Sequence, residues 1–158
     1  MNKSVFLVVP PSDSASSIFA SLGGAEHLGV QYIASYLIIK QYNSIMLNIE
    51  SNYKTPEEAA EKIVSSNPLW IGISPTAFSM QWTTKFCEEI KKRSDILIVV
   101  GGHHATHLGN EFFSICKNVD IISVGDGEVT SFHISEYISG KKHWRKSKIL
   151  SLTREILL

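Results

Sequence analysis

Three stretches of this 158-residue chain place glycine and small hydroxyl residues directly after short apolar runs. Ser74-Pro75-Thr76 follows Leu69–Ile73, Gly101-Gly102-His103-His104-Ala105-Thr106-His107 follows Ile96–Val100, and Gly125-Asp126-Gly127-Glu128 follows Val119–Val124. Glycine removes the Cβ that would keep a ligand away from the backbone, and serine or threonine adds a hydroxyl able to donate or accept. One such loop could carry glycine for its turn alone. Three at one edge of a sheet point to a binding cleft.

Other chemistries find less support. His103, His104 and His107 invite a metal, but no cysteine or acid stands at a familiar zinc spacing nearby, so no metal site is expected. There is no nucleophile elbow and no Walker loop, and Gly125-x-Gly127 lacks the rest of a dinucleotide fingerprint because position 130 is threonine. Asp126 and Glu128 also suit a helix N-terminus, where acid complements the dipole.

The elements that must position these loops are legible as strand and helix in alternation. Five β-branched runs, at 5–9, 45–49, 69–73, 96–100 and 119–124, are nearly continuous in apolar character, as strands buried on both faces of a parallel sheet are. Between the first two, Val30, Ile33, Ala34, Leu37 and Ile38 form one helical stripe. Thr55-Pro56-Glu57-Glu58 reads as N-cap, first-turn proline and capping-box acid for a helix that turns Ala59, Ile63 and Val64 inward. Phe78, Trp82, Phe86 and Ile90 recur every four residues on a third helix. A fourth is expected from about Gly109 to Lys117, and a fifth from about Glu128 to Ser139, ended by Gly140. This alternation predicts a doubly wound α/β fold with a five-stranded parallel sheet, flavodoxin-like in its order 2-1-3-4-5. In such sheets ligands bind beyond the C-terminal strand ends, near the switch in strand order, which is where the three loops lie. The segment after the first strand, Pro10 to Glu26, is unusually long, with Ser12, Ser14, Ser16 and Ser17 near its start, and Gly23-Gly24 frees the backbone before the first helix.

Composition agrees with one globular domain. Apolar residues make up 44% and charged residues 19%, and the net charge is zero, so no global basic field argues for nucleic acid. The expected organisation is an α/β domain over 1–140 and a basic tail or helix over 141–158, where Lys141, Lys142, Arg145, Lys146, Lys148 and Arg154 outnumber Glu155. Cys87 and Cys116 read as core fillers in a reducing compartment, not as a disulfide framework. No apolar run approaches the roughly 20 residues of a membrane helix, and Val5–Val9 is too short for a signal peptide, so a cytoplasmic protein is expected.

Ser74-x-Thr76 followed 27 residues later by Gly101-Gly102 resembles a cobalamin-binding signature. More narrowly, the chain resembles the N-terminal cobalamin-binding domain of cobalamin-dependent radical S-adenosylmethionine enzymes. The likeness rests on 8–11, 27–37, 71–76, 99–106 and 125–128, and spans roughly residues 4 to 140. It implies that the nucleotide tail of cobalamin enters a slot between the sheet and neighbouring helices. Ser74 and Thr76 would then hydrogen-bond its base and phosphate, and Gly101 and Gly102 would let it pass the fourth strand, beside His103 and His104. Gly125, Asp126, Gly127 and Glu128 would line the far side, and the long first loop would face the corrin ring.

There are departures from the pattern. No Asp-x-His-x-x-Gly follows the first strand, so the resemblance implies base-off cobalamin without a protein histidine as lower ligand. His27, His103, Val124 and Asp126 replace the residues usual in the family. Two cysteines cannot build the Cys-x-x-x-Cys-x-x-Cys cluster of the radical half, so the chain has no self-sufficient catalytic machinery of that kind. The leading expectation is a module that holds a corrinoid, such as methylcobalamin, for a radical enzyme acting in trans or encoded outside this chain. A degenerate, cofactor-free interaction or regulatory domain is the alternative. A flavin or nucleotide protein on the same fold is a third reading, although Trp70, Trp82 and Trp144 are not obviously placed over a flavin ring.

Overall fold

The computed structural model describes residues 4–11, 27–48, 55–141 and the strand 151–153. The elements are β1 (Val5–Val9), α1 (Leu28–Ile39), β2 (Ser44–Asn48), α2 (Pro56–Ser65), β3 (Trp70–Ile73), α3 (Met80–Arg93), β4 (Ile98–Val100), α4 (Gly102–Leu108), α5 (Phe112–Ile115), β5 (Ile121–Ser123), α6 (Gly127–Ile138) and β6 (Ser151–Thr153). Single 3-10 turns at Ala77–Ser79 and Gly109–Glu111 precede α3 and α5.

The sheet runs β2-β1-β3-β4-β5-β6. The first five strands pair in parallel, in the expected order. β6 is an addition: it pairs antiparallel with β5, Ser123 facing Ser151, in a region expected as tail or helix. The remaining basic residues of that stretch, from Lys142 to Lys148 and Arg154, lie outside the described residues, as do Trp144, Ile49 and the loop from Ser12 to Glu26.

Strand alternation divides the core in two. On one face Phe6, Val8, Ile71, Ile73, Ile98, Val100 and Ile122 pack under α2, α3, α4 and α5. On the other, Val5, Leu7, Val9, Trp70, Val99 and Ile121 pack under α1 and α6. Every residue of β1, β3, β4 and β5 is buried, the physical reason β1, β3 and β4 carry no polar alternation, and Ser123 of β5 is the polar exception. The α2 cap forms as its sequence dictates: the Glu58 N–H donates to Thr55 Oγ1 at 3.2 Å, with Pro56 in the first turn.

Three expectations are corrected. Phe78 does not join the core stripe of α3. It sits on the 3-10 turn before the helix and is 71% exposed, while Trp82, Phe86 and Ile90 are buried, with Trp82 stacked on Phe86 at 4.9 Å. The stripe of α1 is narrower than its spacing implies: Val30 and Leu37 are buried, whereas Ile38 is exposed. The fourth helix starts at Gly102 rather than Gly109 and breaks at a 3-10 turn, so the three histidines lie on a short helix and not in a loop. Gly102 takes a φ of +85°, and this left-handed residue turns the chain straight from β4 into α4.

Cys87 and Cys116 are thiols, not a disulfide, and lie fully buried beside one another. Their mutual hydrogen bond and their burial push the Cys87 thiol well above its ordinary range. Among the described residues no helix is long and apolar enough to cross a membrane.

Candidate functional site

The sheet ladder fixes the strand ends that carry the small residues. The Ser74 N–H donates to the Val8 carbonyl at 3.1 Å, and the Gly101 N–H to the Ile73 carbonyl at 3.0 Å. Ser74 and Gly101 therefore stand side by side where β1, β3 and β4 end, at the point where strand order reverses around β1. From there a cleft of about 370 Å³ runs between the sheet and the α1/α6 layer, a size suited to a small-molecule group.

Its floor is apolar, with Leu7, Trp70 and Val99 from the sheet and Val30 and Ile33 from α1. Trp70 is held there by its indole N–H, which donates to Ser135 Oγ of α6 at 2.9 Å in a buried hydrogen bond. Gly72 lies between Leu7 and Trp70: a Cβ added to it would meet Leu7 Cδ2 and Trp70 Cζ3, each at 2.8 Å. At the rim, a Cβ on Gly102 would meet Ser74 Oγ at 2.8 Å. One on Gly127 would run into Ile33 Cδ1 at 2.5 Å, so that glycine lets α6 approach α1. Gly125 turns with a φ of +81° into open space, and its N–H donates to Thr106 Oγ1 at 3.3 Å, tying the β5–α6 turn to α4.

Eight of the ten residues expected to touch a ligand line this one cleft: Ser74, Gly101, Gly102, His103, Gly125, Asp126, Gly127 and Glu128. Thr76 and His104 do not line it. Thr76 is exposed and engaged locally, its N–H donating to Ser79 Oγ at 2.9 Å to cap the 3-10 turn. His104 turns toward the other core and meets the Phe112 ring edge-on at 6.4 Å. Among the described residues no set of three His, Cys, Asp or Glu side chains gathers in a metal-binding group.

Sequence reasoning missed Gly72, Ser123 and Ser131, which also line the cleft, together with Thr106 of the Gly101–His107 stretch. Ser123 is the most informative of these. It is 5% exposed, and among the described residues its Oγ has no hydrogen-bond partner. Buried hydroxyls are normally satisfied, so an orphan in a cleft wall suits a ligand with a polar atom at that depth. Together with the glycine-lined rim and the flat apolar floor, it makes the cleft fit for a partly aromatic, partly polar group such as a nucleotide.

The comparisons with known proteins follow the same line. The chain is similar to the anaerobic magnesium-protoporphyrin IX monomethyl ester cyclase of Rubrivivax gelatinosus, 28% identical over 116 residues that cover 67% of this chain and 20% of the relative. It is 25% identical to an uncharacterized methyltransferase of Pyrococcus horikoshii over 138 residues, 85% of this chain and 29% of that protein. The chain thus spans less than a third of the curated relatives it matches. In structure it is similar to the radical S-adenosylmethionine methyltransferase TsrM from Kitasatospora setae. The TM-score is 0.74 at 12% identity for a form with tryptophan and a SAM analogue, over 89% of this chain and 26% of that one. For the form with cobalamin and a [4Fe-4S] cluster bound it is 0.69 at 14% identity, over 90% and 26% of the two chains. At those identities the likeness is one of fold. The family model described as the B12 binding domain matches residues 17–134, well over half the sequence, and the chain belongs to that family.

Proposed function

We propose that this chain holds cobalamin base-off, with the nucleotide tail in the cleft between the sheet and the α1/α6 layer and the corrin ring across the strand ends. The observation that carries the reading is the cleft itself, a glycine-rimmed slot with an apolar floor at the switch in strand order. Membership of the B12-binding family supports it. When bound, cobalamin supplies a cobalt centre that can carry a methyl group.

The chain's own residues do the holding. Ser74 Oγ presents a hydroxyl at the rim, and Gly101 and Gly102 bring the backbone against whatever enters. Gly125 and Gly127 keep the opposite wall low, while Asp126, Glu128 and His103 stand at its polar side. The segment after β1 carries no Asp-x-His-x-x-Gly, which supports the base-off reading without a histidine from that segment on the cobalt. The partner in this reading is a radical S-adenosylmethionine protein, either separate or continuous with this domain. The relatives' greater length supports that assignment, as does the presence of both cobalamin and an iron–sulfur cluster in one structure of similar fold.

The test is anaerobic incubation of the folded protein with hydroxocobalamin, then desalting. Retention of one corrinoid per chain is expected. A colourless protein with native circular dichroism would contradict the proposal and favour a cofactor-free interaction domain.

A further inference from the structure

Ser123 closes β5 on the face that looks toward α1 and α6, the same face as Ile121, Val99 and Trp70. Its hydroxyl is buried, it lines the cleft, and among the described residues it has no hydrogen-bond partner. Gly101 lies directly beside it: a Cβ on Gly101 would sit 3.5 Å from Ser123 Cβ, an ordinary contact. Gly101 also has extended backbone, with φ at −151°, so neither crowding nor strain demands glycine there. What its missing side chain does is leave open the space over Ser123.

A strand position buried on an apolar face would be more stable with an apolar residue, because a hydroxyl removed from water without a partner lowers stability. Other polar side chains line the cleft, Thr106 and Ser131 among them, but none of the described ones hydrogen-bonds Ser123 Oγ, and the nearby Trp70 indole is committed to Ser135. Ser123 is thus a buried polar group without a partner among the described residues, with open space above it on the path past Gly101. We infer that Ser123 is a specificity residue of the cleft, whose Oγ hydrogen-bonds the nucleotide tail of a corrinoid and so selects complete cobamides over tailless ones. This rests on the cobalamin reading and adds to it a residue and a ligand preference.

The two roles a serine could play here move stability in opposite directions. A serine satisfied within the fold loses stability on truncation, whereas an orphan gains or holds it. The experiment compares the full chain with Ser123→Ala by thermal melting without ligand and by spectral titration with hydroxocobalamin and with cobinamide, which lacks the nucleotide tail. The expected result is an alanine variant melting at the same or a higher temperature, binding hydroxocobalamin roughly 5- to 30-fold more weakly and cobinamide with unchanged affinity. Unchanged hydroxocobalamin affinity, an equal loss for both corrinoids, or a lowered melting temperature would each overturn the role of Ser123 while leaving cobalamin binding in place. Failure of the unaltered chain to bind either corrinoid would overturn both.

Discussion

Gly102 and Ser74 meet at the ends of β4 and β3 so closely that a Cβ on the glycine would lie 2.8 Å from the serine Oγ. Gly102 also holds a φ of +85°, the conformation that turns the chain into α4. One residue therefore sets both the direction of a helix and the free space around a rim hydroxyl.

Gly102→Ala should act on both. The left-handed backbone costs a non-glycine residue about 1–2 kcal/mol, to be read in urea unfolding. The added methyl presses on Ser74 Oγ, so hydroxocobalamin affinity should fall at least about tenfold, more than the stability loss alone would produce. Unchanged affinity would place the ligand away from this rim.

Gly72→Ala probes the floor. The methyl would stand 2.8 Å from both Leu7 Cδ2 and Trp70 Cζ3 in a packed layer, and overpacking of this kind costs about 1–3 kcal/mol. A lower melting temperature together with weakened corrinoid uptake is expected. Full stability would mean that Trp70 can swing aside.

Trp70→Phe removes the buried donor to Ser135 Oγ, which still donates to the Ser131 carbonyl at 2.9 Å. The expected loss is about 1 kcal/mol for the hydrogen bond, with a further contribution from the smaller ring. Stability equal to that of the unaltered protein would show that the indole N–H does not anchor the floor.

Acid should weaken the α3 face. Hydrogen bonds from Arg93 and then Lys92 hold the Glu89 carboxyl at about 2, below the usual 4.5. A carboxyl depressed in the folded state contributes stability that is present above its unfolded value and is lost as pH falls from about 4.5 toward 2. Glu89→Gln should flatten the stability profile across that window in acid-unfolding curves. An unchanged slope would contradict the assignment.

The parts of the fold that were legible in the sequence are those where burial is complete. Val5–Val9 and Trp70–Ile73 are apolar throughout because both faces of their strands are covered, and Thr55-Pro56 announces α2 by local chemistry alone. The helix at Gly102–Leu108 was hidden because only Ala105 of its residues is buried, which leaves no stripe to read. β6 is three residues, Ser151–Thr153, too short for a pattern. In the site, loop glycines signal themselves by type, whereas Ser123 does not. A serine ending an apolar strand becomes a candidate only once its face, its neighbours and its lack of a partner are known. Thr76, two residues from Ser74, lies outside the cleft lining, and its backbone N–H donates to Ser79 Oγ in the 3-10 turn.

The most direct test of the cleft as a tail site is the visible spectrum of methylcobalamin bound to the protein. With the nucleotide tail drawn between the sheet and α6, its base would be off the cobalt, and a base-off spectrum is expected at saturating protein, at neutral pH. A base-on spectrum from bound methylcobalamin would contradict it, because the tail would then lie against the corrin and not in the cleft.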